Sequence, residues 1–139
     1  ALREAGEPLP GRVIAFSPWL DMENKGETLV TNIESDALIT VPLLEGMIAG
    51  VLGGKTAPNN PLANPLYADF TGFPRLYVNA GGDEALLSDA TRVADKARAA
   101  GVDVTLNVVE GQQHVFPFSA GRTAEADAEI AAIAAWYRG

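Results

Sequence analysis

A chain of 139 residues with 47% hydrophobic content can enclose one globular core, which excludes an extended disordered segment. Its 10 Lys and Arg against 18 Asp and Glu leave a net charge of −8, which repels phosphate backbones and argues against nucleic acid as a partner. Without cysteine there is neither a disulfide framework nor a thiolate metal site, and one histidine with carboxylates is a thin ligand set for zinc. No apolar run is long enough to span a bilayer and no signal-peptide pattern precedes the first element, so a cytoplasmic location is the expectation.

The elements read in chain order as α/β. "RVIAF", residues 12–16, follows "GEPLPG" and ends in "SPWLD"; its β-branched and aromatic content predicts a short buried strand. Residues 40–54, "TVPLLEGMIAGVLGG", predict a helix: Thr40 can cap, Pro42 fits the first turn, Leu44, Met47, Ile48 and Val51 share a face, and Gly53 and Gly54 stop it. The Pro- and Asn-rich stretch 55–75 predicts a long irregular connection of the kind that often walls a site. A second strand, "LYVNA" at 76–80, runs into Gly81 and Gly82. A helix follows, with Leu86, Ala90, Val93, Ala94 and Ala97 at helical spacing and Gly101 as its stop. "VTLNVV", 104–109, is the third strand. A last helix carries Ala126, Ile130, Ile133, Ala134 and Tyr137 on the face expected to pack on the sheet. Strand, helix, strand implies parallel neighbours joined by a crossover.

Three motifs compete for the chemistry. "AGVLGGKT", 49–56, formally matches a relaxed phosphate loop with Lys55 and Thr56 in the ligand roles. Its context opposes that role. A phosphate loop needs a strand before it and a helix N-terminus after it, whereas here a helix precedes and Pro58 follows. A glycine C-cap with a nearby cation accounts for the same residues. Ser119-Ala120-Gly121 echoes the tail of a G-x-S-x-G nucleophile turn, but Pro117 occupies the first glycine position. Ser17, Ser35 and Ser88 lack the flanking glycines as well.

The third motif pairs the acids of "GGDEALL" with His114 of "VVEGQQHVF", the sole histidine. Glu84 follows the second strand and His114 the third, so in a parallel pair about 4.8 Å apart both emerge at the carboxyl edge of the sheet. A buried acid bonded to Nδ1 would orient the imidazole while Nε2 accepts a proton from a nucleophile. The plainer alternative is a loop histidine, with Asp83 and Glu84 serving the helix dipole.

"AFSPWLDM", the long stretch from "NPLANPLYADF" through "GVDVTL", and "VVEGQQHVF" resemble the C-terminal half of bacterial α/β-hydrolases of the hormone-sensitive-lipase-like esterase family. The likeness spans nearly the whole chain. It implies an α/β-hydrolase fold in which the triad acid follows the seventh strand and the histidine the eighth, in a G-x-x-H turn roughly thirty residues later. Gly111-Gln112-Gln113-His114 fits that turn, and alignment on Leu86 puts Glu84 in the acid's place, with Asp83 as the fallback.

The same resemblance implies an upstream oxyanion segment and serine elbow that these residues do not contain. "ALREAG", 1–6, resembles the end of the helix leaving that elbow, so the chain reads as residues 1–139 of one C-terminal segment of a single α/β-hydrolase domain, inactive without its other half. The implied chemistry is carboxylic-ester hydrolysis through a Ser-His-acid triad, with a small ester or acyl substrate, no cofactor and no metal. Trp19, Leu20, Phe116 and Phe118 are candidates to line the acyl or alcohol pocket, and a homodimer through the edge strand Val104 to Val109 is implied as well. The rival reading is a non-catalytic binding or structural domain that kept the fold and lost the site.

Overall fold

The computed structural model describes residues 2–139. In chain order the elements are β1 (Arg12–Phe16), α1 (Thr28–Thr31), α2 (Val41–Leu52), a 3₁₀ turn at Pro65–Tyr67, β2 (Arg75–Gly81), α3 (Leu87–Ala99), β3 (Val104–Val109), a second 3₁₀ turn at Phe116–Ser119, and α4 (Ala124–Arg138). The three strands form one parallel sheet in the order β1-β2-β3. Register sets Phe16 beside Asn79 and Asn79 beside Asn107, so the chain leaves all three strands at one edge.

β2 lies between its two neighbours and is buried from Leu76 to Gly81. Alternation gives it two different faces. Leu76, Val78 and Ala80 pack against Ala90, Val93 and Ala97 of α3, the stripe predicted by the helical spacing. Each large apolar side chain so buried is worth about 1.5–3 kcal/mol. The other face carries Tyr77, whose hydroxyl donates to Glu129 of α4 at 2.9 Å and whose ring meets Trp136 edge-on at 5.4 Å. Asn107 of β3 donates to the same carboxylate, so Glu129 fastens α4 across two strands.

Arg12 and Arg75 are register neighbours, and two like charges side by side on a sheet repel. Each guanidinium lies over an aromatic ring of α4, Arg12 on Tyr137 and Arg75 on Trp136, both 5.1 Å from the centroid. The last turn of α4 thereby absorbs the charge of two strands.

α2 begins and ends as its sequence predicts: Thr40 accepts from the Leu43 N–H at 3.3 Å, and Gly53 closes it in the left-handed conformation at φ +55°. Lys55 therefore follows a helix C-terminus, where no amides point at an anion. The apolar face of α2 divides. Leu44 is buried, Ile48 is half-buried, and Met47 and Val51 are exposed. Residues 2–6, expected to end a helix, instead form a turn in which the Gly6 and Glu7 amides bond back to Arg3 and Leu2. The irregular connection 55–75 holds the single 3₁₀ turn, started by the Asn64 side chain, which accepts from the Leu66 N–H.

Candidate active site

Two turns meet at the carboxyl edge, and glycine lets them. A Cβ on Gly81 would stand 2.2 Å from the Gln112 carbonyl oxygen, and one on Gly82 would stand 2.9 Å from Glu110 Cα. Only a residue without a side chain allows the histidine turn to lie on the end of β2. The contact is then stapled backbone to backbone: the Gly82 N–H donates to Val109 at 2.8 Å and the Asp83 N–H to Gln112 at 3.1 Å.

Glu84 is fully buried at this junction. Its Oε2 accepts from the Ser17 hydroxyl at 2.6 Å and from the Gly81 N–H at 3.0 Å, and it lies 3.9 Å from Nδ1 of His114. That last separation exceeds a hydrogen bond. Glu84 Oε1 and His114 Nδ1 are both buried with no hydrogen-bond partner among the described residues. Burial pushes the Glu84 carboxyl up to about 7; the bonds from Ser17 and Gly81 pull it down, while the charges of Asp36 and Asp89 add to the rise. Burial lowers the His114 imidazole, and Asp36 works in the opposite direction. Desolvation thus favours the neutral form of each partner.

The segment between α1 and α2 straps both turns. The Asn32 amide donates to the carbonyls of Gly82 and Glu84, at 3.0 and 3.2 Å, and Ser35 Oγ donates to that of Asp83 at 3.0 Å. Asp36 accepts from the Ala85, Leu38 and Ile39 amides at 2.7 to 2.8 Å. From the histidine side, Gln113 donates to the Ser35 carbonyl at 3.0 Å and accepts from the Ala37 N–H at 2.8 Å. Asp83 takes part only through its backbone; its half-exposed carboxylate makes no hydrogen bond among the described residues.

The four apolar candidates do not gather in one place. Trp19 packs on the cluster of Leu29, Ile39, Leu44, Ala85 and Leu86, and Leu20 packs on the sheet core beneath α3. Phe116 is buried, while Phe118 is 78% exposed with its ring 6.2 Å from that of Phe16. Ser119 lies at the end of a 3₁₀ turn with no strand leading into it. Among the described residues no three His, Cys, Asp or Glu side chains converge to hold a metal ion.

Asn32 and Asp36 carry no mark in the sequence, and Ser17 and Ser35 stand there only as serines without the flanking glycines of a nucleophile turn. Ser17 was weighed only as a nucleophile; its place directly after a strand and before Pro18, level with the ends of the other two strands, was the available signal. Asp36 has local partners in the Leu38 and Ile39 amides, but the bonds that tie Asn32 and Asp36 to the acid's turn reach some fifty residues away, at separations of 50, 52 and 49, and leave no local pattern.

Known proteins share this arrangement of strands and turns. Residues 1–118 match the family described as the alpha/beta hydrolase fold. An acetyl-hydrolase of Streptomyces hygroscopicus is 36% identical over 116 residues, which are 84% of this chain and 38% of that protein. An esterase of Acinetobacter venetianus is 32% identical over 133 residues, 96% of this chain and 44% of the relative. The crystal structure of an esterase from the bacterial hormone-sensitive lipase family superimposes with a TM-score of 0.95 at 43% identity, covering 99% of this chain and 46% of that one. The chain thus spans less than half the length of these relatives. No helix among its described residues is long and apolar enough to cross a membrane. On its matched residues and its fold, the chain belongs to the α/β-hydrolase family, in the company of the hormone-sensitive-lipase-like esterases.

Proposed function

We propose that this chain supplies the acid and the histidine of a carboxylic-ester hydrolase. The observation that carries the reading is a single imidazole, His114, whose Nδ1 faces a fully buried carboxylate, Glu84, at the carboxyl edge of a parallel sheet. In this reading His114 takes the proton of a serine and returns it to the leaving alcohol, while Glu84 fixes the tautomer and stabilises the imidazolium. The serine and the oxyanion amides come from the part of the fold that these residues do not supply, and the segment by itself is inactive. Shortening the 3.9 Å separation to a hydrogen bond is the change that seating of the other half must bring.

Glu84 is preferred to Asp83 because its carboxylate, and not that of Asp83, points into the junction with the imidazole. Of the four apolar candidates, Phe118 has surface free to meet an acyl chain. Association of two copies through β3, an outer strand of the three, belongs to the same proposal and is read by sedimentation.

The test is turnover of short-chain p-nitrophenyl esters by the protein with its nucleophile-bearing part present. His114→Ala should lower kcat by roughly 10⁴-fold or more. Undiminished turnover in that variant removes His114 from the mechanism, and absence of turnover in the wild type leaves the non-catalytic domain as the reading.

A further inference from the structure

Ser17 follows β1 directly and is buried. Its hydroxyl donates its one proton to Glu84 Oε2 at 2.6 Å and accepts the Val115 N–H at 2.9 Å. Its own N–H donates to the Asn79 carbonyl on β2 at 2.7 Å. One small side chain therefore joins the end of β1, the acid on the turn after β2, and the residue next to His114 on the turn after β3.

Backbone conformation points to the same atom. Ser17 has φ +42° and Val115 has φ +52°. For a β-branched residue that region is an outlier, and such conformations cost of order 1–3 kcal/mol each unless the surroundings hold them. Both residues meet in the bond between Val115 N–H and Ser17 Oγ, and that oxygen is also the one that grips Glu84.

We propose that Ser17 is a positioning residue for the acid and the histidine: its hydroxyl is the joint that sets the Glu84 carboxylate at a fixed distance from the turn carrying His114. The proposal rests on the hydrolase reading for its catalytic meaning, and on geometry alone for the joint. Without the hydroxyl, Oε2 keeps only the Gly81 N–H, and the Val115 N–H loses its acceptor. The groups facing Glu84 are then His114, the Gly81 amide, and the carboxylates of Asp36 and Asp89, both of which disfavour its charge. Ser17 is the side chain that counters them.

The experiment compares wild type with Ser17→Gly and Ser17→Ala. Glycine removes the hydroxyl and also suits φ +42°, so it separates loss of the joint from backbone strain. Carbon-13 titration of the Glu84 carboxyl in this chain, assigned by its disappearance in Glu84→Gln, should give a midpoint near 7 in wild type and one about one pH unit higher in folded Ser17→Gly. With the nucleophile-bearing part present, kcat should fall roughly tenfold to a hundredfold with KM within about threefold. The acid limb of the kcat profile should move to higher pH in step with the midpoint. An unmoved midpoint in folded Ser17→Gly overturns the proposal, and so does a full-rate Ser17→Gly enzyme. Undiminished hydrolysis in His114→Ala removes His114 from the mechanism and with it the catalytic meaning of the joint, while the titration still decides the joint itself.

Discussion

Two buried carboxylates, Asp21 in the loop after β1 and Glu84 on the turn after β2, are treated in opposite ways. Both oxygens of Asp21 are engaged. Oδ1 accepts from the Glu23 N–H and the Asn64 amide, at 2.9 and 3.2 Å, and Oδ2 accepts from the Lys25 N–H at 3.0 Å and from Arg92 at 2.6 Å. Asp89 beside it accepts the Leu20 and Asp21 amides. Burial works against the Asp21 charge, yet the bonds from Arg92 and the two amides outweigh it and hold the carboxyl below its ordinary value. At Glu84 burial wins. One oxygen has two donors, the other has none, and the facing imidazole stands 3.9 Å away. A saturated carboxylate is a fastening for the loop after β1, whereas an unsaturated one in a dry setting retains free energy that a forming imidazolium can use.

The two regions should therefore answer mutation with opposite signs. The largest effect is expected at the fastening: Asp21→Ala leaves two amides, Asn64 and Arg92 without their acceptor and should cost about 4 kcal/mol in urea unfolding, moderated because Arg92 is partly exposed and can reach water. A loss under about 1 kcal/mol would mean that the network is ornament. The stabilisation from Asp21 is present above its ordinary pKa of 3.8 and lost as pH falls below it, since its folded pKa is lowered.

Glu84→Gln comes second and should stabilise. With a folded pKa raised from 4.5 to about 7, Glu84 favours the fold below pH 4.5 and loses that contribution as pH rises through about 7. Removing the charge should raise stability by up to about 3 kcal/mol at pH 8 and by nothing near pH 4.5, while ester hydrolysis is lost. A gain of equal size at both pH values would break the comparison. The smallest effect is expected at Asp83→Asn, within about 0.5 kcal/mol and with turnover within about twofold, because its carboxylate holds nothing. A hundredfold loss of turnover there would move the acid's role from Glu84 to its neighbour.

Much of the frame was legible because it depends on local pattern. β1 and β3 coincide with "RVIAF" and "VTLNVV", and β2 exceeds "LYVNA" by one residue at each end, where Arg75 and Gly81 still pair with their neighbours but carry no strand signature. The stripe of α3 is buried as its spacing requires, from Ala90 to Ala97. α1 was invisible: four residues with no capping side chain offer no periodicity to read. At the site, Glu84 and His114 could be set on one sheet edge from strand order alone, and the family resemblance singled them out. Ser17 and the strap from Asn32 to Asp36 could not, since the partners that tie them to the site are chosen by the tertiary fold.

The bonds made by Ser17 also have a kinetic meaning. Its link to Glu84 closes a loop of 67 residues and its link to Val115 one of 98, so both are long-range contacts. Loop-closure entropy defers such contacts until nearer pairings have shortened the chain, and the joint is complete only when β1 and the turn after β3 both lie against β2. β2 and β3 bring the acid and the histidine to one edge, and Ser17 adds its joint once β1 is in place. A segment in which β1 has not docked lacks the Ser17 joint, so the Glu84 spacing that the joint sets reports the docking of β1.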